Sequence, residues 1–428
     1  MPTWNTGDTG FMLLATSLVM LMTPGLAFFY GGLVGRKNVL AIMIQSFVSM
    51  GWTTVLWWLF GFSMCFSGNC VQGTDLLGGI IGNFNWAFMH GIDINTSSLV
   101  TTNVNGIATP IFGNAGIPML VFFAYQMMFA IITPALITGA FTNRVKFPAF
   151  MLFLTMWLIL VYFPFVHMIW GGGLLWLWGV KDFAGGIVVH NIAGMAALAS
   201  VLYLGKRKSA DPGFHNIPLI ALGTGLLWFG WYGFNAGSEF AVDQITANAF
   251  VNTDIAASFA AIVWLILAWW LEKKPKFVGL LTGAVAGLAT ITPAAGYVST
   301  KSAVIIGCLA GLICYFAVSW KNKMGWDDAL DVWGVHGVGG MIGIIFLGIF
   351  ATTAVNANGA NGLLHGDSTF FDKQVVAILI SSIYAFAFTF GMLWIINKIT
   401  PVQTSKEEED LGLDETIHGE HAYTDGLG

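Results

Sequence analysis

Charge is the scarcest property of this chain. Only 9% of its 428 residues are Asp, Glu, Lys or Arg, against about 25% in an average soluble domain. That leaves too little polar surface for a water-soluble fold. Cysteine is scarce too, with four in the chain. Cys65 and Cys70 stand close enough to pair in an oxidising compartment, whereas Cys308 and Cys314 read as buried thiols, and the four do not make a metal site. The net charge of −5 comes from an acidic tail, and no basic surface points to nucleic acid. The start, "MPTWNTGDTG", has no positive charge ahead of the first apolar run, so no secretory signal is expected.

Apolar residues fill the space that charge vacates, at 56% of the chain. Runs of around 20 residues recur along it, each long enough to cross a hydrocarbon core of ~30 Å. Eleven spans are expected, at about 11–34, 39–66, 117–141, 148–172, 183–205, 217–237, 253–271, 277–299, 303–320, 331–354 and 375–397. They are too long, and alternate too little, for a β-barrel. The fold class is an all-α polytopic membrane protein lying in the plasma membrane. Placing the loop after the first span inside leaves only Lys181, Lys301 and Lys373 outside, of 17 basic residues. This bias puts the N-terminus out and the C-terminus in.

Residues 1–400 form one membrane domain, and residues 401–428 a cytoplasmic acidic tail. The tail segment "GLDETIHGEHAY" leaves two readings open, a solvated end or a docking element. The outer stretch 67–116, rich in Gly, Asn, Ser and Thr, is expected to cap the outer face. Gly279, Gly283 and Gly287 recur every fourth residue, a helix face that a neighbouring backbone can approach closely.

An internal echo is more informative. "GGIVVHNIAG" in span 5 and "DVWGVHGVGG" in span 10 each place a Val-His pair among glycines, with Gly four residues after the histidine. Five-helix units are odd-numbered, so the second crosses in the opposite sense. The expectation is a five-plus-five inverted repeat plus one extra helix, with equivalent positions meeting near mid-membrane. His190 and His336 are those positions. An ionisable residue inside a span is a functional hypothesis by default. A matched pair of imidazoles can either link helices or accept and relay a proton near neutral pH. His167 has no echo and reads as structural. Asp182, at the outer start of span 5, suits a helix cap or a bias toward cations. Trp170 and Phe234 stand beside glycines, where an aromatic face can hold a cation or close a constriction.

Taken together, "TPGLAFFYGGLV" (23–34), "DFAGGIVVH" (182–190), "GWYGFNAGS" (230–238), "ITPAAG" (291–296), "DVWGVHGVGG" (331–340) and the tail motif resemble the ammonium transporter (Amt) family, a relative of the Rh proteins. The resemblance implies a homotrimer with one pore per subunit and no cofactor. It implies pore twin histidines at His190 and His336, and a phenylalanine gate at Phe129 and Phe234. An outer ammonium-binding site follows at Trp170 and Ser238, supported by Asp182. It also implies a PII-type regulatory protein docking on the inner face. Glu239, directly after Ser238, adds an acid at the outer mouth. Two other readings stay open: an electroneutral, Rh-like gas channel, and an ammonium sensor signalling through its tail. A membrane enzyme is not expected, because no nucleophile or metal set accompanies the histidines.

Overall fold

A computed structural model describes residues 4–68, 76–104, 107–110, 116–209 and 213–423. Cys70 lies outside these residues, and so does any pairing with Cys65. Among the described residues, ten helices are long and apolar enough to cross a membrane: α1 (Thr6–Leu33), α2 (Arg36–Phe66), α3 (Met119–Ala140), α4 (Phe147–Trp178), α5 (Gly186–Leu204), α6 (Ile217–Glu239), α7 (Gln244–Glu272), α9 (Thr300–Met324), α10 (Trp333–Phe350) and α11 (Ser368–Ile399). Between α7 and α9 runs a shorter apolar helix, α8 (Phe277–Ile291). The expected eighth span, 277–299, is therefore helical only in its first part. Beyond Ile291 the chain turns through Pro293 and Tyr297, because a proline interrupts helix hydrogen bonding and because this stretch meets the start of α5.

Helix starts follow local side-chain chemistry. Asn5 accepts from the Asp8 amide ahead of α1, and Asp243 with Thr246 forms a capping box ahead of α7. Ser299 and Asp367 cap α9 and α11 in the same way. Each removes one of the unsatisfied amides of a helix N-terminus.

Small residues set the interhelical distances. A Cβ on Gly223 of α6 would lie 2.3 Å from the Phe29 nitrogen of α1, so these two helices touch backbone to backbone. A Cβ on Gly283 or Gly287 would meet the Ala260 or Ala256 carbonyl of α7, the close approach expected of that glycine face. Ahead of α3 lies a two-stranded antiparallel hairpin of β1 (Thr101–Val104) and β2 (Ile107–Pro110).

The tail is no free solvated end. Its helix α12 (Lys406–Leu411) and the turn Asp414–His418 fold back on the face that carries the α1–α2 loop. The Asp414 carboxylate accepts from the Leu40 and Ala41 amides at 3.1 and 2.8 Å. Lys37 donates to the Glu409 and Asp410 carbonyls, and the Glu409 carboxylate accepts from the Lys208 and Ser209 amides. Beside it, Arg144 is 1% exposed and donates to the carbonyls of Ala140, Gly205 and Asp327, with the Asp327 carboxylate close by. This is the C-terminal face; the opposite one, with Asn5, is the N-terminal face.

Candidate functional site

On the N-terminal face a cavity of about 420 Å³ opens among Phe129, Trp170, Asp182, Ser238, Glu239 and Tyr297. Trp170 ends the regular part of α4, just before the break at Gly171–Gly173. Its indole Nε1 donates to the Asp182 carbonyl at 2.9 Å, which holds the ring in place. The Asp182 carboxylate turns away from the cavity's chemistry and into the backbone. It accepts four amides, from Gly185 and Gly186 at 2.9 and 2.7 Å and from Ile187 and Val188 at 2.7 and 3.2 Å. Burial pushes this carboxyl up from its ordinary range, and the four amides pull against that shift. Asp182 is thus a cap that carries Trp170 on its own carbonyl. Ser238 is half-buried; its hydroxyl donates to the Phe234 carbonyl and lies 3.3 Å from the Tyr125 hydroxyl.

Three other carboxylates line this cavity. Asp8 accepts from the Val242 amide and Asp243 caps α7. Glu239 makes no side-chain hydrogen bond or ion pair with the described residues and borders the cavity. Lys181 also lines the wall, and burial lowers the pKa of its ammonium group.

Below the cavity two phenylalanine rings meet. The rings of Phe129 and Phe234 lie 4.2 Å apart between centroids, tilted by 34°, and both residues are 1% exposed. Trp170 stands edge-on to Phe129 at 5.7 Å. Phe129, whose surrounding sequence is the least distinctive of the expected site, is placed here by α3.

His190 and His336 meet beneath Phe234. Their Nδ1 atoms are 3.2 Å apart and the rings are inclined by only 19°. Two neutral imidazoles in this contact share one proton, since one Nδ1 must donate and the other accept. His190 Nε2 is buried with no partner among the described residues. It borders a passage of about 10 Å³ lined by Val189, Leu227, Trp231 and Phe234, which is room for about one water-sized particle. His336 continues into a second space of about 30 Å³ leading to Leu330 and Asp331.

Packing explains how two residues 146 positions apart come into register. A Cβ on Gly194, four after His190, would lie 2.1 Å from the Gly337 backbone; one on Gly340, four after His336, would lie 2.9 Å from the His190 Cβ. Each histidine's following glycine therefore admits the other histidine's helix. Both histidines also sit in π-helical turns, Gly186–Asn191 and Trp333–Gly337, a distortion that recurs at functional sites.

Two residues escaped the reading of the sequence. Trp231 stacks on His190 at 5.4 Å and is tied to Thr292. Asp328 accepts from the Val332 and Trp333 amides at the start of α10. It stands eight residues before His336, as Asp182 stands eight before His190, and that shared spacing was a signal available in the sequence. His167 bridges the carbonyls of Cys65 and Gly78 and takes no part in the passage. No cluster of three metal-ligating side chains occurs among the described residues.

A sequence model described as the Ammonium Transporter Family matches residues 10–423. The ammonium transporter of Bacillus subtilis (strain 168) is 43% identical over 423 residues, covering 98% of this chain and 99% of its own length. Ammonium transporter Amt1 of Archaeoglobus fulgidus is 40% identical over 423 residues, with the same shares covered. The crystal structure of Candida albicans Mep2 superimposes with a TM-score of 0.83 at 32% identity, covering 95% of this chain and 88% of that one. The chain is a multi-pass cell-membrane protein and belongs to the ammonium transporter family.

Proposed function

We propose that the protein recruits ammonium on the N-terminal face, strips its proton there, and conducts ammonia through the phenylalanine pair and past the histidines, with net movement of charge. The observation that carries this reading is the 3.2 Å contact between His190 and His336 in a narrow apolar passage below a closed pair of rings. The Trp170 face and the Ser238 oxygen suit a cation at the mouth. A hydrated ion would lose its shell between Phe129 and Phe234 at a large cost. Neutral ammonia avoids that cost, and the shared histidine proton offers the departing proton a separate route. Potassium has no proton to give up and is excluded.

In this reading α8 and the turn after it complete an eleventh crossing, so the N-terminal face is outside and the tail inside. Each subunit of a homotrimer carries its own pore, and the ordered tail offers a folded surface to a PII-type regulatory protein.

The test is the current across proteoliposomes after an ammonium jump, for the native protein and for His190→Ala with His336→Ala. The expected result is a native current that potassium does not evoke and that the double variant loses. Rapid internal alkalinisation with no native current would replace the proton route by an electroneutral gas channel.

A further inference from the structure

A groove of about 540 Å³ on the C-terminal face takes no part in the passage. Lys146, Tyr203, Lys208, Asn397, Gln403 and Ser405 are among its lining residues, and no acidic residue lines it among those described. Its floor is a strap, residues 400–405, fastened at several points. Lys146 donates its amide to the Val402 carbonyl, Thr404 donates its amide to the Arg144 carbonyl, and the Gln403 amide donates to the Leu204 carbonyl at 2.7 Å.

The polar groups left over are donors. Asn397 spends its carbonyl oxygen on the Val402 amide, which leaves its NH₂ free of any described acceptor. The Ser405 hydroxyl is spent, accepting from the Glu408 amide and donating to the Glu407 carboxylate. Lys208 gives one of its three ammonium hydrogens to the Thr404 carbonyl. Lys146 lies 3.2 Å from the Glu408 carboxylate, with its side chain one-third exposed. A cavity with two ammonium groups and spare donors suits an anion with several oxygens.

The groove also borders an exposed apolar flank. Leu202 precedes Tyr203, and Trp394 stands one turn before Asn397; these two side chains are 45% and 55% exposed, and Ile399 is 66% exposed. Lys398 lies over the Trp394 ring at 5.4 Å. Apolar flank below and lysines above is the charge and polarity profile of a bilayer boundary.

We infer that this groove binds the headgroup of an anionic phospholipid, with Lys146 and Lys208 on its phosphate and the acyl chains along Leu202, Trp394 and Ile399. Because Lys146 also holds Glu408, the headgroup competes with the tail helix for one ammonium group, and lipid charge becomes a signal to the docked tail. The inference depends on the chain lying in a bilayer and not on the route taken by ammonium.

The full chain, purified in detergent, is titrated with dioleoylphosphatidylglycerol or dioleoylphosphatidylcholine, and bound lipid is counted by native mass spectrometry. The phosphatidylglycerol should bind more tightly, and each of Lys146→Gln and Lys208→Gln should weaken it roughly fivefold. Glu408→Gln should strengthen it by freeing Lys146, a gain that misfolding does not mimic. Equal binding of the two lipids, or undiminished binding by the double lysine variant, would overturn the site. Displacement of the lipid by inorganic phosphate alone would overturn its assignment to a lipid, and a Glu408→Gln variant that binds no better would overturn the competition.

Discussion

Asp182→Asn separates a cap from a cation ligand. The carboxylate accepts two amides on each oxygen. An asparagine oxygen keeps one such pair, while its NH₂ faces the other two amides with no acceptor. Two hydrogen bonds to a charged group are lost, about 1.5–3 kcal/mol each. Burying a neutral amide in place of an ion returns part of that, so the net destabilisation is on the order of 2–4 kcal/mol. Asp328→Asn is the internal control, since Asp328 holds one amide on each oxygen and its asparagine retains one of the two. Its loss should be about half as large. Thermal unfolding of both variants in detergent, beside their uptake of ammonium, measures the difference. The expected order is native, then Asp328→Asn, then Asp182→Asn, with uptake by the last reduced because Trp170 rests on the Asp182 carbonyl. A variant Asp182→Asn as stable as the native protein but unable to take up ammonium would refute the capping argument and give the carboxylate a direct role at the cation.

Gly194→Ala should open the histidine contact, because its Cβ would stand 2.1 Å from Gly337 and the helices must part by about 1.5 Å to restore van der Waals distance; ammonium uptake should fall on the order of tenfold, while Gly225→Ala, with nothing within 4 Å, serves as the neutral comparison. At Asp327 burial pushes the carboxyl up, but hydrogen bonds from Arg207 and the Arg144 charge outweigh it and hold the group below the usual carboxylate range. The stability this depressed group adds is fully present above the unfolded pKa of about 3.9 and is lost as pH falls through its lower folded value. Thermal stability should therefore drop below about pH 4, and Asp327→Asn should show a lower plateau with a shallower acid limb.

The bundle was legible because crossing a membrane leaves a local mark. Runs such as 375–397 announce α11 from composition alone, and errors fall mostly at helix ends. The helix of the eighth span stops short of its expected end for a physical reason: hydropathy runs on through residues 292–299, but Pro293 and its contact with Gly186 of α5 divert the backbone. Hydropathy also says nothing of the tail, whose acids looked fit for water until Asp414, Glu409 and Lys37 found backbone partners on the same face. In the site, His190, His336, Asp182, Trp170 and Phe234 each carried a sequence cue, either an ionisable group among apolar residues or an aromatic beside glycine. Phe129 carried little, since one phenylalanine among 35 is ordinary until a second ring stands against it.

The sequence by itself determined the solvent the chain lives in, the rough places of its apolar helices, and the kinds of groups buried within them. Those properties are sums over neighbouring residues, and the transfer of each segment into lipid depends little on what it later meets. Only the tertiary structure decided that the Nδ1 atoms of His190 and His336 stand 3.2 Å apart, that the rings of Phe129 and Phe234 meet, and that Asp182 turns its carboxylate onto four amides. Each of these depends on which helix backbones can touch, and that follows from glycines and π-turns on segments more than a hundred residues apart.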